Sequence, residues 1–503
     1  MKRPIRTALI SVFHKDGLEP IIRQLEAHNV KIYSTGGTQK FIESLGVDVH
    51  AVEDLTSYPS ILDGRVKTLH PKVFGGILAR REDDHMKQLE AYDIPPIDLV
   101  IVDLYPFKET VAQTDSETEI IEKIDIGGIS LIRAAAKNFR DVMIVSDKSQ
   151  YEYLQELLNR GPSSELVERK QLAAHAFYVS ADYDQAIMGY FSDQPEGLNV
   201  IQKKAHPLRY GENPHQKAHF LGDLDLFEQI SGKALSYNNL VDVEAALQLM
   251  KEFENDGPTF AVLKHTNPCG IATRSTVLES WKAALAGDPI SAFGGILISN
   301  SRIDKETAEQ IHNMFYEVLI APAFDDDAVK LLTSKKKRIL LLLKDYPQER
   351  WQYKSILDGT IIQEGDYQIE QRDQFECMTT LSPSESQLDD LEFALKCVKH
   401  LKSNTIVLAK GQQLIGMGCG QTSRVDAAKQ AIEKAEKMDF NLSGSVMASD
   451  AFFPFPDCVE LGAEAGVKAI VQPGGSINDK ASVETCDELG LVMVKTGVRH
   501  FKH

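Results

Sequence analysis

Residues 30–38 read VKIYSTGGT: a short β-rich run, then two hydroxyl residues, two glycines and a third hydroxyl residue. β-Branched and aromatic residues suit a strand, and paired glycines let the backbone turn sharply with its N–H groups facing inward. The residues that follow, Thr38–Leu45, have the apolar spacing of an amphipathic helix. Strand, glycine turn and helix make up the repeating unit of a parallel α/β sheet. The same rhythm extends outward, with apolar runs at Thr7–Val12, Val47–Val52, Leu99–Leu104 and Val142–Val145 and a further amphipathic stretch at Gly17–Asn29. A doubly wound parallel sheet is therefore expected over residues 1–148, with ligands at the carboxyl ends of its strands. Polar residues stand at those ends: Ser11, Ser34 with Thr35, Asp103, and Ser146 with Asp147.

The chain has 503 residues, too many for one core, and its 43% hydrophobic and 25% charged content is that of a globular protein. A net charge of −18 speaks against a nucleic-acid partner, which calls for a basic face. No apolar run approaches the roughly 18 residues of a membrane span. The opening MKRPIRTALISV is basic, but its apolar part is too short for a signal peptide and lacks a small-residue cleavage site. A cytoplasmic protein without a membrane partner is expected. The cysteines, Cys269, Cys377, Cys397, Cys419, Cys458 and Cys486, are scattered without a C-x-x-C pair, which suits reduced thiols rather than a disulfide framework or zinc site.

Residues 149–200 read as a helical connector packed on one or both flanking domains, and SDQPEG at 192–197 is turn-rich and marks a boundary. A second domain, 201–503, carries an internal repeat. FAVLKHTNPCGIA (260–272), a helix and DPISAFGGILISN (288–300) resemble TIVLAKGQQLIGMGCG (405–420), a helix and GSVMASDAFFPF (444–455). Two related α/β subdomains follow from this. The basic run KKKR at 335–338 reads as a solvated loop.

In the first domain, Ser34–Thr38 is either an anion site at a helix N-terminus or only a turn. GRVKTLHPK at 64–72 gathers Arg65, Lys67, His70 and Lys72 in an acidic protein, which suits a phosphate or carboxamide ligand, the alternative being an exposed loop. Asp103-Leu104-Tyr105-Pro106-Phe107 ends the most apolar strand and brings Tyr105 to the ligand edge. Asp125-Ile126-Gly127-Gly128 opens a helix on which Arg133 and Lys137, four apart, share a face. STGGT, GRVKTLHP, DLYPF and IDIGGISLIRAAAKN, in this order, closely resemble the inosine-monophosphate (IMP) cyclohydrolase domain, which has a methylglyoxal-synthase-like fold. Lys15 matches the family's first loop, whereas Phe13-His14 replaces its usual Ser-Asp.

In the second domain, Leu208–Gln216 (LRYGENPHQ) combines a cation able to clamp a phosphate with an aromatic ring able to stack on a heterocycle. Lys264-His265 at a strand end makes a general base beside a cation, the alternative being a structural turn histidine. Asp288–Gly295, Ser449–Phe455, Pro473–Ser476 and the tail Arg499–His503 add further chemistry, although tails are commonly inert. These segments resemble the transformylase domain of the 5-aminoimidazole-4-carboxamide ribonucleotide (AICAR) formyltransferase/IMP cyclohydrolase family, and the resemblance spans the chain. It implies two cytidine-deaminase-like subdomains. The deaminase zinc signature is missing: Thr-Asn follows His265, and there is no Pro-Cys-x-x-Cys. No metal or redox cofactor is expected.

The resemblance implies formyl transfer from 10-formyltetrahydrofolate to AICAR, then dehydrative closure of the formylated product to IMP. His265 would take the proton from the attacking amine and Lys264 would favour the oxyanion. Arg209, Tyr210, Phe452 and Arg499 would hold the nucleotide, Gly294, Glu317, Asn404 and Ser476 would line the site, and Arg424 and Asp457 would help place folate or substrate. In the first domain Lys137 and Asp125 would move protons, while Lys67 and Tyr105 polarise the formyl oxygen. Lys15, Thr35, Gly36, Gly37, Thr38, Arg65, Thr68, Asp103 and Ile126 would bind the ribonucleotide. A homodimer is implied, with Arg424 the residue expected to reach into the other subunit. Two other classes, a nucleotide sensor without activity and a methylglyoxal-synthase-like lyase, fit less well, because candidate bases stand at strand ends in both domains.

Overall fold

A computed structural model describes residues 2–59, 61–62, 66–192, 205–347 and 351–503. The chain divides into two compact units, residues 1–202 and 203–503.

The first unit is built on five parallel strands: β1 (Thr7–Ser11), β2 (Lys31–Ser34), β3 (His50–Ala51), β4 (Leu99–Val102) and β5 (Met143–Val145). Their order is β3-β2-β1-β4-β5. Helices α1 (Leu18–Ala27) and α2 (Gly36–Ser44) follow the first two strands, and α3 (Gly127–Lys137) precedes β5. All four residues of β4 are buried, as are Ala8, Leu9 and Ile10 of β1, the burial expected of parallel strands covered on both faces. The strand order reverses between β1 and β4, and in open sheets of this kind a crevice opens at the carboxyl side of that reversal. The run Val47–Val52 is strand only at His50–Ala51. Val52 already begins a short helix, Val52–Thr56, whose first turn holds Glu53 and Asp54, acidic residues that favour a helix N-terminus.

Residues expected as a connector form a helix at Tyr151–Asn159 and a 26-residue helix α4 (Leu166–Phe191). Both belong to the first unit: Leu154, Leu172, Ala173 and Ala176 join its core. Arg169 is fully buried, its guanidinium donating to the carbonyls of Phe139, Arg140 and Ser164. Of the expected boundary at 192–197, residues 193–197 lie outside the described residues.

The second unit contains the same fold twice. The first copy runs β6 (Phe227–Ser231), α5 (Tyr237–Lys251), β7 (Thr259–Lys264), β8 (Asn267–Thr273), α6 (Val277–Ala286), β9 (Ile296–Ser299), α7 (Lys305–His312), β10 (Val318–Ala321), α8 (Asp326–Leu332) and β11 (Ile339–Leu343). The second runs β12 (Glu376–Cys377), α9 (Glu385–Val398), β13 (Ile406–Ala409), β14 (Leu414–Gly418), α10 (Arg424–Lys437), β15 (Val446–Ser449), α11 (Asp457–Ala465), β16 (Ala469–Gln472), α12 (Asp479–Leu489) and β17 (Val492–Lys495). The sheets have equivalent orders, β6-β11-β10-β9-β7-β8 and β12-β17-β16-β15-β13-β14. In each, the last three strands are parallel and the hairpin is antiparallel.

Helices α5 and α9 share one core with a face of both sheets, and Phe253 meets Phe393 there at 5.4 Å. The edge glycines Gly270 and Gly416 let the next helix lie against the strand: a Cβ at either would overlap the carbonyl oxygen of Ala284 or Ala431. The two sheets meet along β8 and β14, where Ala272 bridges Gln413. In the basic run at 335–338 the three lysines are exposed, but Arg338 is buried against the Tyr316 ring at 4.6 Å and donates to the His312 carbonyl at 3.1 Å.

The tail is not frayed. His500 is 2% exposed, its N–H donates to the Asp450 carbonyl at 3.1 Å, and its ring lies between Asp366 (2.8 Å) and Glu370 (3.0 Å). Lys502 and Ser403 exchange hydrogen bonds one residue pair further on. Burial opposes charge on His500, yet hydrogen bonds to the two carboxylates outweigh it and raise its pKa. Asp366 is lowered, burial being outweighed by the bond and charge of His500. A raised histidine contributes stability below its unfolded pKa of about 6.5 and loses it as pH rises through the folded value. A lowered aspartate contributes above about 3.9 and loses it as pH falls. The tail clamp is therefore strongest between about pH 4 and 6.5. Thermal unfolding of His500→Gln at pH 6 is expected to show a loss of about 2 kcal/mol, the scale of a buried charge-assisted hydrogen bond. The difference from the unsubstituted chain shrinks by pH 9, and a pH-independent difference contradicts the clamp.

Candidate active sites

In the first unit a cleft of about 690 Å³ opens where the strand order reverses. Lys15, Thr35, Gly36, Gly37, Thr38, Lys67, Thr68, Asp103, Tyr105, Asp125 and Ile126 all line it. Arg65 lies outside the described residues. Thr35, in extended conformation, precedes α2, and Gly36 enters the helix with φ 45°. A Cβ on Gly36 would sit 3.1 Å from the Lys67 ammonium, and one on Gly37 would sit 3.9 Å from that of Lys15. Two cations and a helix N-terminus thus face one spot, the makings of an anion site.

Lys15 Nζ donates to the carbonyls of Val12 (2.6 Å) and Phe13 (2.7 Å). Burial lowers its pKa, with Asp103 pulling the other way. Asp103 accepts the backbone N–H groups of Phe13 and His14 and meets His14 Nδ1 at 3.0 Å, so it fixes the loop that departs from the family pattern.

Asp125 Oδ1 accepts the Gly128 N–H at 2.6 Å, and the Asp125 N–H donates to the Tyr183 hydroxyl at 2.8 Å. A Cβ on Gly128 would overlap this carboxylate, and one on Gly127 would crowd Thr68 Oγ1 at 2.9 Å, which is why two glycines follow Asp125-Ile126. Burial pushes the Asp125 carboxyl above the usual range, helped by the charge of Asp103 and opposed by backbone donors including Gly128. Tyr105 is likewise raised, by burial and then by Asp125. A buried carboxyl whose pKa moves toward neutrality is suited to carrying protons.

Lys137 is not brought to the cleft. It is exposed in the last turn of α3, ten residues beyond Gly127, which at 1.5 Å per residue is about 15 Å along the axis. Helical spacing correctly groups it with Arg133, whose guanidinium is spent on Ser180 (3.1 Å) and the Phe177 ring (5.6 Å). Three residues were not anticipated. Phe13 packs edge-on against Tyr105 at 5.5 Å, and the Lys123 ammonium lies 5.3 Å from the Phe13 ring and 5.9 Å from that of Tyr105. Tyr183, on α4, carries the hydroxyl behind Asp125. Lys123 stands two residues before the DIGG motif, and nothing in its spacing sets it apart.

In the second unit the sites gather at sheet ends. His265 and Thr266 form the two-residue tip of the β7–β8 hairpin, both with positive φ (51° and 66°), so the imidazole is carried outward on an exposed turn. Lys264 Nζ donates to the Phe293 carbonyl at 3.0 Å, next to Gly294. Glu317 immediately precedes β10, bonded through its N–H to the Gly295 carbonyl, and pairs with Lys233 at 2.7 Å. Arg209 and Tyr210 stand on a loop tied to α5 by the Asn238 side chain on the Glu212 carbonyl, with the guanidinium 5.4 Å from the Tyr210 ring.

The remaining residues stand at the carboxyl ends of β15, β16 and β17 or beside them. Arg424 donates to Ser449 Oγ (2.9 Å), Asn404 Oδ1 (3.0 Å) and Asp450 (2.7 Å). Through Nε and Nη2 it thereby joins β15 to the Asn404 turn. Phe452 and Asp457 follow β15, and Asn478 Nδ2 ties the Pro454 carbonyl to the loop of Ser476. Arg499 stacks on Phe501 at 4.4 Å. Cys419 Sγ approaches Asn267 Oδ1 at 3.6 Å, and Gln421 exchanges backbone hydrogen bonds with Asn404, so the His265 hairpin adjoins the Asn404–Arg424 group. Asp242 on α5, also unanticipated, accepts the Thr266 N–H at 2.9 Å.

Two family models match the chain: AICARFT/IMPCHase bienzyme over residues 135–434 and MGS-like domain over residues 17–130. The bifunctional purine biosynthesis protein PurH of Bacteroides thetaiotaomicron is 56% identical over 504 residues, 99% of each chain. Proteins of the same name from Acetivibrio thermocellus and Halalkalibacterium halodurans are 45% and 46% identical over 99% of this chain and all of theirs. The chain belongs to the AICARFT/IMPCHase bienzyme family and is a bifunctional enzyme of purine biosynthesis, an AICAR formyltransferase joined to an IMP cyclohydrolase.

Proposed function

We propose that the two reactions are divided between the two units, with ring closure in the cleft of the first and formyl transfer beside the His265 hairpin of the second. The observation that carries this reading is Asp125: a carboxyl raised by burial, in a cleft that also offers two ammonium groups at a helix N-terminus. Lys15 and the turn Thr35–Thr38 would hold the phosphate of the formylated ribonucleotide. Its carboxamide nitrogen attacks the formyl carbon, Asp125 moves the protons, and the formyl oxygen, polarised by Lys67 and Tyr105, leaves as water. Thr68, Ile126 and Arg65 complete the binding surface. Lys137 has no part in the proton transfers.

In the second unit AICAR is held by Arg209, Tyr210, Phe452 and Arg499, with Gly294, Glu317, Asn404 and Ser476 around it. The formyl donor is 10-formyltetrahydrofolate, placed with the substrate by Arg424 and the group around Asp457. The 5-amino nitrogen attacks the formyl carbon, His265 takes its proton, and Lys264 favours the oxyanion before tetrahydrofolate leaves. Neither step calls for a metal or redox cofactor. The working form is a cytoplasmic homodimer.

An optical assay for IMP, started from AICAR or from preformed intermediate, separates the steps. Asp125→Ala is expected to slow ring closure by about 10²–10⁴-fold, the range for a lost general acid or base. Lys137→Ala stays within a few-fold, and a loss as large as that of Asp125→Ala would restore Lys137 to the mechanism. His265→Ala loses formyl transfer by a comparable factor while closing preformed intermediate normally. If it slows both reactions alike, the division of labour is wrong. Dialysis against a strong chelator leaves both activities unchanged, whereas loss restored by a stoichiometric divalent ion contradicts the metal-free reading. Sedimentation equilibrium at micromolar concentration is expected to give twice the 56.0 kDa chain mass, and a single-chain mass rules out the dimer.

A further inference from the structure

The two repeats of the second unit meet at two junctions, and comparing them isolates one residue. The ladders fix the equivalences: Leu263 pairs with Ile296, the first residue of β9, and Ala409 pairs with Val446, the first residue of β15. Lys264 therefore matches Lys410, His265 matches Gly411 and Thr266 matches Gln412. The match extends to side chains. Lys264 Nζ donates to the Phe293 carbonyl at 3.0 Å and Lys410 Nζ to the Ser443 carbonyl at 2.6 Å, each carbonyl three residues ahead of its strand. Asp242 and Asp390 are each the sixth residue of their helix, α5 or α9.

Each hairpin tip holds two successive left-handed residues, His265 (51°) with Thr266 (66°) and Gly411 (57°) with Gln412 (51°). The second tip includes a glycine, to which this conformation comes freely, and Asp390 clamps it with both oxygens, on the N–H groups of Gly411 (2.8 Å) and Gln412 (2.6 Å). The first tip has no glycine, and its Thr266 is β-branched, for which positive φ is rare. Its clamp is one hydrogen bond, from the Thr266 N–H to Asp242 Oδ1 at 2.9 Å. The surroundings differ too. At the second tip Arg274 fills the junction, donating to the Gly411 carbonyl (2.7 Å) and Gln413 Oε1 (2.6 Å). At the first, the ladders match Arg274 with Gly420, which has no side chain, and the next residue, Gln421, turns its amide to the Cys419 carbonyl and Gln430 instead. The junction at His265 is left without that plug.

We propose that Asp242 is a positioning residue for formyl transfer, holding the left-handed His265-Thr266 turn that presents the imidazole to the unplugged junction. The proposal rests on the reading of His265 as the base. Burial pushes the half-buried Asp242 carboxyl up, while the Thr266 amide and the His265 charge draw it back, which agrees with a carboxylate facing the turn from beneath.

The test uses the full chain with Asp242→Ala, Asp242→Asn, Asp242→Ala with Thr266→Gly, and His265→Ala. Asp242→Ala is expected to lower kcat for formyl transfer about ten- to a hundredfold, part of the roughly 10²–10⁴-fold carried by the base itself. KM for AICAR and the folate donor stays within about twofold, and closure of preformed intermediate is unchanged. Asp242→Asn keeps an acceptor oxygen and restores most of the rate. Adding Thr266→Gly to Asp242→Ala recovers part of it, because glycine adopts the turn unaided. The proposal is overturned if Asp242→Ala transfers formyl within twofold of the unsubstituted chain, if the loss lies in KM with kcat intact, or if Asn is as damaging as Ala. Should His265→Ala itself remain active, the reading of the base falls, and the proposal with it. An inactive His265→Ala beside a fully active Asp242→Ala removes only the role of Asp242.

Discussion

A strand covered by helices on both faces has its backbone saturated and its side chains in the core, so chemistry can leave the sheet only at its ends. β1 and β4 satisfy this strictly, with Ala8–Ile10 and Leu99–Val102 buried and the cleft residues Val12, Phe13, Lys15, Asp103 and Tyr105 beginning directly beyond. Because the strand order reverses between these two strands, the chains leaving them part in opposite directions and a cleft must open there. Lys67, Thr68 and the segment 121–128 then close it from the side. The second unit obeys the same constraint twice, at the hairpin end of one sheet and the carboxyl ends of the other.

Duplication adds a second consequence. Two equivalent sheets joined antiparallel at their edge strands create two equivalent junctions, and symmetry alone would make two equivalent sites. They differ through a handful of residues. Gly411, the double clamp of Asp390 and the inserted guanidinium of Arg274 make one junction structural. At the other, His265 stands where the glycine would be, Gly420 stands where the arginine would be, and the tail returns through His500 to the Asp450 carbonyl, bringing Arg499 alongside. One junction is clamped and filled, and the other is left open beside His265.

Much of this was legible in residue order. The first sheet followed from β-rich runs separated by amphipathic stretches, and the internal repeat followed from two segments alike in glycine placement and apolar pattern. Lys15, Thr35–Thr38, Asp103 and Tyr105 were legible because each stands within a few positions of a strand end, and Lys67, Thr68, Asp125 and Ile126 because they sit in the GRVKTLHP and DIGG motifs. What escaped was information that one dimension does not carry. Spacing groups Lys137 with Arg133 on one helix face, but distance along the axis, about 15 Å from Gly127, decides whether a side chain reaches the cleft. Arg424 carries a charge that suits a ligand, but its bonds to Asn404, Ser449 and Asp450, twenty or more residues away, cannot be read from spacing. Tyr183, Asp242 and His500 act through partners more than twenty residues distant, and none sits in a motif. Val47–Val52 looked like a full strand because its apolar alternation outweighs the helix-starting pair Glu53-Asp54 just beyond it.

The acidity of the chain, −18 overall, is at odds with a substrate that carries a phosphate only if charge is averaged over the whole molecule. At physiological ionic strength the field of a surface charge fades over about 8 Å, so an anion entering the first cleft responds mainly to what lines it. There it meets the ammonium groups of Lys15, Lys67 and Lys123 and the N-terminus of α2. The carboxylates of the same cleft are turned to other work: Asp103 is bonded to the backbone of Phe13 and His14, and Asp125 is raised by burial and capped by the Gly128 N–H. Of the two carboxylates, one thus anchors a loop and the other is held in place by a backbone N–H and by two glycines too small to obstruct it, so the charge that faces an entering anion is that of the ammonium groups and the helix end.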